Sequence, residues 1–190
     1  SQIAQWLIRE KISNSINTLL EILPMSENRE LAVSRLKKSI SDISKPISSI
    51  YRLLVIEGGA AANYFRAWQG LPLKWTGLKN KPIPDDWREV GPRQMSWRNK
   101  TQNARHPLNG MLNYGYGMLA SQMRSNVLAA GFDPSIGLLH ESHYNRIPLI
   151  YDLMEPLRPI VDATVLDFAM SQIFSPGDFV INRFGGCRLN

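Results

Sequence analysis

Along five stretches of this chain, apolar residues recur at spacings of three and four, and a proline or glycine closes most of them. That is the helical period, and it constrains the fold more than any other feature. Residues 3–23 put Ile3, Trp6, Leu7, Ile12, Ile16, Leu19, Leu20 and Leu23 at this spacing, and Pro24 stands where a helix must stop. A second stripe of Val33, Leu36, Ile40 and Ile43 follows Ser26, a candidate N-cap, and Pro46 interrupts it. A third runs Ile50, Leu53, Leu54, Ala61, Tyr64, Phe65 and Trp68. The fourth opens with Pro107 in its first turn, continues through Leu108, Met111, Leu112, Leu119, Met123 and Val127, and ends at Gly131. The fifth covers about 148–172 through Leu149, Leu153, Leu157, Ile160, Val161, Val165 and Phe168, with Pro156 and Pro159 expected to kink it. FDPSIG reads as a turn, and SPGDFVINRFGG as a short strand or hairpin. The prediction is an all-α, multi-helix fold, with residues 1–190 forming one domain.

Between the third and fourth stripes, residues 69–106 are rich in Pro, Gly, Trp and charge and have no period. They read as a long connection with short helical turns at most, partly disordered in the free protein. The net charge of +6 is concentrated here: residues 66–105 hold nine of the 22 Lys and Arg but only three of the 16 acids. Four of the five tryptophans, Trp68, Trp75, Trp87 and Trp97, lie in the same region. Basic charge interleaved with aromatic rings suits a polyanion, because Lys and Arg neutralise phosphates and rings stack on bases. A solvated loop whose tryptophans pin it to the core has the same composition.

The single cysteine, Cys187, excludes a disulfide framework and a cysteine zinc site. No apolar run approaches the roughly 18 residues of a membrane span, and no secretory leader is expected, so the sequence reads as cytoplasmic. The start at Ser1-Gln2 and the stop at Asn190 read as those of a piece of a longer protein.

Some residues do not suit packing. Glu57 sits in the middle of the third apolar stripe, and an ionised carboxylate there is costly unless paired or metal-bound. Gly58 and Gly59 follow, each costing a helix about 1 kcal/mol relative to alanine, which predicts a close approach to the backbone. Asp152 falls on the face of Leu149, Leu153, Leu157 and Ile160, and Glu155 is three residues on. His140 follows the apolar run 136–139, whereas His106 and His143 read as surface or loop residues without a role. Salt bridges, solvated helix edges or a hydrogen-bonded core histidine would account for each residue taken alone. Together, one imidazole and two or three carboxylates on separate helices suit Mg²⁺ or Mn²⁺ better than zinc or copper.

The stretches IEGGAAANYFRAW (56–68), RHPLNGMLNYGYGMLASQMRSNVLAAGFDPSIGLLHE (105–141) and YDLMEPLRPIVD (151–162) closely resemble the CRISPR-associated integrase, which inserts new spacers into a CRISPR array. The resemblance extends from REKISNSINTLL in the first helix to about residue 162. It implies that Glu57, His140 and Glu155 are the divalent-metal ligands and that Asp152 is the supporting acid of the same catalytic site; Glu141 is not expected to be a ligand. It also implies DNA-contacting or site-supporting places for Arg66, Asn109, Tyr114 and Tyr116. The implied substrates are protospacer DNA and the CRISPR repeat. The implied partners are a second copy, the small second CRISPR-associated protein and, in some relatives, a fused reverse transcriptase. The family's usual N-terminal β-rich domain is expected to be absent from this chain. A mobile-element integrase of the same family and a non-catalytic DNA- or partner-binding domain are the alternatives.

Overall fold

A computed structural model describes residues 2–45, 47, 49–91, 104–139, 147–183 and 186–190. Helices α1 (Gln2–Ile22), α2 (Glu27–Ile43) and α3 (Ile50–Arg66) follow the first three stripes. Ser26 accepts the Arg29 N–H to cap α2, and Ser49 caps α3 in the same way through Arg52. The three helices pack on one another through Leu7, Ile8, Ile12, Leu19, Leu36, Ile43 and Leu53, all buried. The outer edge of the first stripe does not follow the prediction: Ile3 and Trp6 are each 56% exposed, because Ala4, Leu7 and Ile8 take the buried positions.

Helix α4 (Pro107–Ala129) ends as expected, with Gly131 at φ +77°, a left-handed conformation that favours glycine. Its N-cap is His106, whose Nδ1 accepts the Leu108 N–H at 3.2 Å. That corrects the expectation of a histidine without a role.

The fifth stripe is not one helix. α5 (Pro148–Met154) passes into a 3₁₀ turn (Glu155–Leu157) and then α6 (Arg158–Ser171). Neither Pro156 nor Pro159 has an N–H to continue the α ladder, which accounts for the tighter turn between them. The turn also shifts the helical phase. Pro159, Asp162, Leu166 and Ala169 form the buried face of α6, while Ile160 and Phe168, expected inward, are about half exposed. The 3₁₀ turn and α6 lie along α1, where Asn14 donates to the Pro156 carbonyl and Thr18 to the Pro159 carbonyl, each at 2.8 Å. α4 packs across α5 and α6, closely enough that a Cβ on Gly115 would come within 2.6 Å of Val161 Cγ1.

Part of the connection after α3 forms regular main-chain pairing. Residues 70–73 pair with 88–90 through main-chain hydrogen bonds of 2.8–2.9 Å. Strand β1 (Lys74–Trp75) runs parallel to β2 (Ile173–Phe174), an unpredicted tie between chain regions about a hundred residues apart. A short 3₁₀ turn (Asp85–Trp87) follows β1. The C-terminal hairpin matches the expectation: β3 (Phe179–Ile181) pairs antiparallel with β4 (Cys187–Leu189). The remainder of the expected mobile connection, 92–103, lies outside the described residues. The fold is all-α, with these short strands as fasteners. Among the described residues, no helix is long and apolar enough to cross a membrane.

Candidate functional site

Glu57 on α3 and Glu155 in the 3₁₀ turn are about a hundred residues apart in sequence, yet both reach the same cation. That cation is the ammonium of Lys11 on α1. Its Nζ contacts Glu57 Oε1 and lies 2.5 Å from Glu155 Oε2. The side chains of Lys11 and Glu57 are 19% accessible and that of Glu155 is 9%. Arg158, one turn on from Glu155, pairs with its other oxygen at 3.1 Å. The Arg158 guanidinium also lies 5.0 Å from the centre of the Tyr116 ring, within cation–π range.

Beneath these groups Asp162 is buried on α6 and accepts two phenol hydroxyls, from Tyr64 on α3 at 3.1 Å and from Tyr116 on α4. Burial, and then the adjacent Asp162 charge, raise the Tyr64 phenol well above its usual range, so Tyr64 remains a donor. One carboxylate thereby ties three helices together under the site. The cleft above, lined by Lys11, Glu57, Tyr64, Tyr116, Glu155 and Arg158, has a volume of about 280 Å³.

Asp152, paired with Glu155 in the sequence reading, faces elsewhere. It is fully buried, and its Oδ2 accepts the main-chain N–H groups of Leu138 and Leu139. It therefore anchors the segment leading to His140, and it is not one of the side chains lining the cleft. His140 itself, with Glu141 and His143, lies outside the described residues. Among the described residues, no three His, Cys, Asp or Glu side chains form a metal-binding group. What they do present is a pair of carboxylates from separate elements converging on one positive charge. That donor set fits a hard divalent ion, which takes oxygen ligands and needs its charge balanced.

Of the four expected DNA-contacting residues, only Tyr116 lines this cleft. Arg66 is exposed at the end of α3, and Asn109 is half-buried in the first turn of α4. Tyr114 is exposed beside a second groove, formed with the C-terminal hairpin through Asn182, Arg188 and Asn190. The tryptophans require a correction. Trp68 and Trp87 are buried, and Trp75 stacks on Trp87 with Phe174 and Phe179 around them. These rings hold the connection on the core and are not platforms for bases. Trp97 lies outside the described residues. The charges in the same connection do face solvent: Lys74, Lys79, Lys81 and Arg88 are all exposed.

Sequence reasoning missed Lys11, Arg158 and Asp162. The first and last carried the signal that had exposed Glu57. Lys11 lies four residues after Leu7 and three after Ile8, and Asp162 lies four before Leu166, so both interrupt an apolar stripe.

The family model described as CRISPR associated protein Cas1 matches residues 1–190. The chain belongs to the Cas1 family. It is 33% identical over 157 residues to CRISPR-associated endonuclease Cas1 1 of Methanospirillum hungatei, a match covering 82% of this chain and 42% of that protein. Among solved structures, a partial Cas6-RT-Cas1–Cas2 complex superposes with a TM-score of 0.78 at 23% identity, covering 99% of this chain and 52% of the other. A casposase bound to integration product superposes with a TM-score of 0.74, also at 23% identity, covering all of this chain and 50% of that one. This Cas1-family chain thus spans about half the length of the relatives it matches.

Proposed function

We propose that this chain is the catalytic helical domain of a metal-dependent DNA integrase and endonuclease, one that joins new spacer DNA to a CRISPR repeat by attack of a 3′-hydroxyl on a phosphodiester. The observation that carries the reading is the convergence of Glu57 and Glu155 on one cation in a cleft, in a chain of the Cas1 family. A Mg²⁺ or Mn²⁺ ion held by Glu57, Glu155 and His140 would supply positive charge to the phosphoryl oxygens. The chain's own residues do the rest. Arg158, set by Glu155 and the Tyr116 ring, offers a fixed guanidinium at the cleft for a phosphate. Asp162 keeps Tyr116 and Tyr64 in register beneath it. Asp152 holds the main chain of Leu138 and Leu139, the residues that precede His140 in the sequence. The exposed basic groups Lys74, Lys79, Lys81 and Arg88, with Arg66, would neutralise backbone phosphates, so binding should weaken as salt rises. Arg66, Asn109 and Tyr114 lie away from the cleft, and their part in this reading is contact with DNA further along its path.

One neighbour is a casposase bound to integration product, and another a partial Cas6-RT-Cas1–Cas2 complex. They support DNA, a small Cas2-like protein and, in some settings, a reverse transcriptase as partners; protospacer and repeat DNA as the substrates and a second copy of this chain belong to the same proposal. A soluble cytoplasmic setting accords with such substrates. The test is strand transfer from a short duplex with free 3′ ends into a supercoiled plasmid carrying repeats, with Mn²⁺. Joining should require metal and disappear in Glu57→Ala and His140→Ala; full joining by both variants would sink the assignment.

Lys11 itself favours one rival reading. Because an ammonium already neutralises both carboxylates, the cluster could be purely structural, in a domain that binds DNA without chemistry. In that case Mn²⁺ would not raise the melting temperature, since only a ligand of the native state stabilises it.

A further inference from the structure

The two carboxylates assigned to the metal are joined by a side chain that no ligand set includes. We infer that Lys11 is a tethered substitute for the divalent ion: its ammonium holds Glu57 and Glu155 together in the ion-free protein and must be displaced when an ion binds. Lys11 thus lowers the affinity of the site. The inference rests on the metal-site reading above and deepens it.

Three observations carry it. The first is position. The Lys11 ammonium contacts both carboxylates at once, so it occupies the space between them where a shared cation would sit. An ion and the ammonium cannot both be there, and like charges that close repel strongly. The second is that the surrounding scaffold does not need Lys11. α1 is fastened to the 3₁₀ turn and α6 by Asn14 and Thr18, and to its neighbours by Leu7, Ile8 and Ile12. Withdrawing one ammonium leaves the elements bearing Glu57 and Glu155 in place. The third is the contrast with the other cation. Arg158 is held by Glu155 and by the face of Tyr116. Lys11 has a flexible four-carbon stem, is partly accessible, and among the described residues has the two carboxylates as its ionic partners. Lys11 is therefore the cation that moves.

The charge balance agrees. Lys11 and Arg158 balance Glu57 and Glu155, and Asp162 beneath them leaves the cleft one charge negative without an ion. Replacing the ammonium with a divalent ion brings the cleft to neutrality, one charge more favourable for an incoming phosphate. Such a site binds its ion weakly alone and better once an anion arrives.

The experiment uses the complete natural chain without DNA and titrates it with Mn²⁺ alone, reading free Mn²⁺ by its electron paramagnetic resonance signal and the melting temperature in parallel. Lys11→Met keeps the length and removes the charge; Lys11→Gln is a second neutral variant should one fail to fold by circular dichroism. Both should bind Mn²⁺ more tightly than the wild type, by roughly tenfold or more, since a competing charge in direct contact has been removed. Lys11→Arg, which keeps the charge, should remain close to the wild type. Affinity unchanged or weakened in the folded neutral variants would overturn the inference and leave Lys11 a structural partner. Glu57→Gln separates this from the underlying reading. If it abolishes binding while the Lys11 variants gain nothing, only the role of Lys11 fails. If it leaves binding intact, the metal site itself is wrong.

Discussion

Asp152 and Glu155 are both acidic, both buried and three residues apart, yet they are neutralised by different kinds of partner. Asp152 accepts main-chain N–H groups of Leu138 and Leu139, donors that cannot leave unless the segment moves. Glu155 meets the side-chain cations Lys11 and Arg158, which can rearrange without moving the backbone. A carboxylate oxygen held by main chain, as Asp152 Oδ2 is, is committed to the fold. One held by exchangeable charge can serve a ligand. Burial alone does not distinguish them; the nature of the partner does.

The comparison breaks most easily on activity. Glu155→Gln should lower strand transfer by roughly a hundredfold or more, given the several kcal/mol that metal assistance supplies. Its melting temperature should fall far less than that of Asp152→Ala. The latter strips a charged acceptor from two amides and should cost about 3 kcal/mol, or roughly 6–12 °C in a domain of this size. Equal stability losses from the two variants would end the distinction.

The glycines sharpen it at smaller scale. Gly115→Ala forces a Cβ against Val161 and should destabilise by about 1–3 kcal/mol in a denaturant titration. A Cβ on Gly58 or Gly59 would meet nothing within 4 Å. The close approach expected there is therefore not made by the described chain. Gly58→Ala and Gly59→Ala should each stabilise by up to about 1 kcal/mol, from helix propensity alone. If they also weaken DNA binding, the approaching body is the substrate.

A smaller effect tests whether a side-chain acceptor can also belong to the fold. Burial lowers the His106 pKa below its usual 6.5, so the folded state resists its protonation. Its contribution is present above the unfolded value and is lost as pH falls through the folded one. Between pH 7 and pH 5 the melting temperature of the wild type should fall further than that of His106→Asn, which retains a cap. Smallest of all, burial raises the Cys187 thiol to about 11, so alkylation at pH 8 should be slow until the protein unfolds.

The helices were legible because each buries one face over many turns, and Ser26, Pro24, Pro107 and Gly131 mark their ends with local chemistry. Glu57 was legible as a charge inside an apolar stripe. Lys11 carried the same mark, but without knowledge of which helices meet, nothing linked it to Glu57. The β1–β2 tie was invisible because two-residue strands have no period to read. The tryptophans misled because composition reports what a segment contains and not which way its rings face. Asp152 and Glu155 looked like one pair because a spacing of three makes neighbours on one helix, but spacing does not report what packs against each: Asp152 meets the main chain of Leu138 and Leu139, and Glu155 meets Lys11 and Arg158.

The 3₁₀ turn has a consequence for how such a chain can change over time. Asn14 and Thr18 grip the carbonyls of Pro156 and Pro159 from α1, so the segment is locked in register at two points. Substitutions between them alter only side chains. Losing or gaining one residue there would rotate everything beyond by about 100°, the helical step per residue. Asp162 would then leave the tyrosines, or Glu155 would leave Lys11. In a lineage keeping this site, the stretch from Glu155 to Asp162 should tolerate changes of spelling and no change of length.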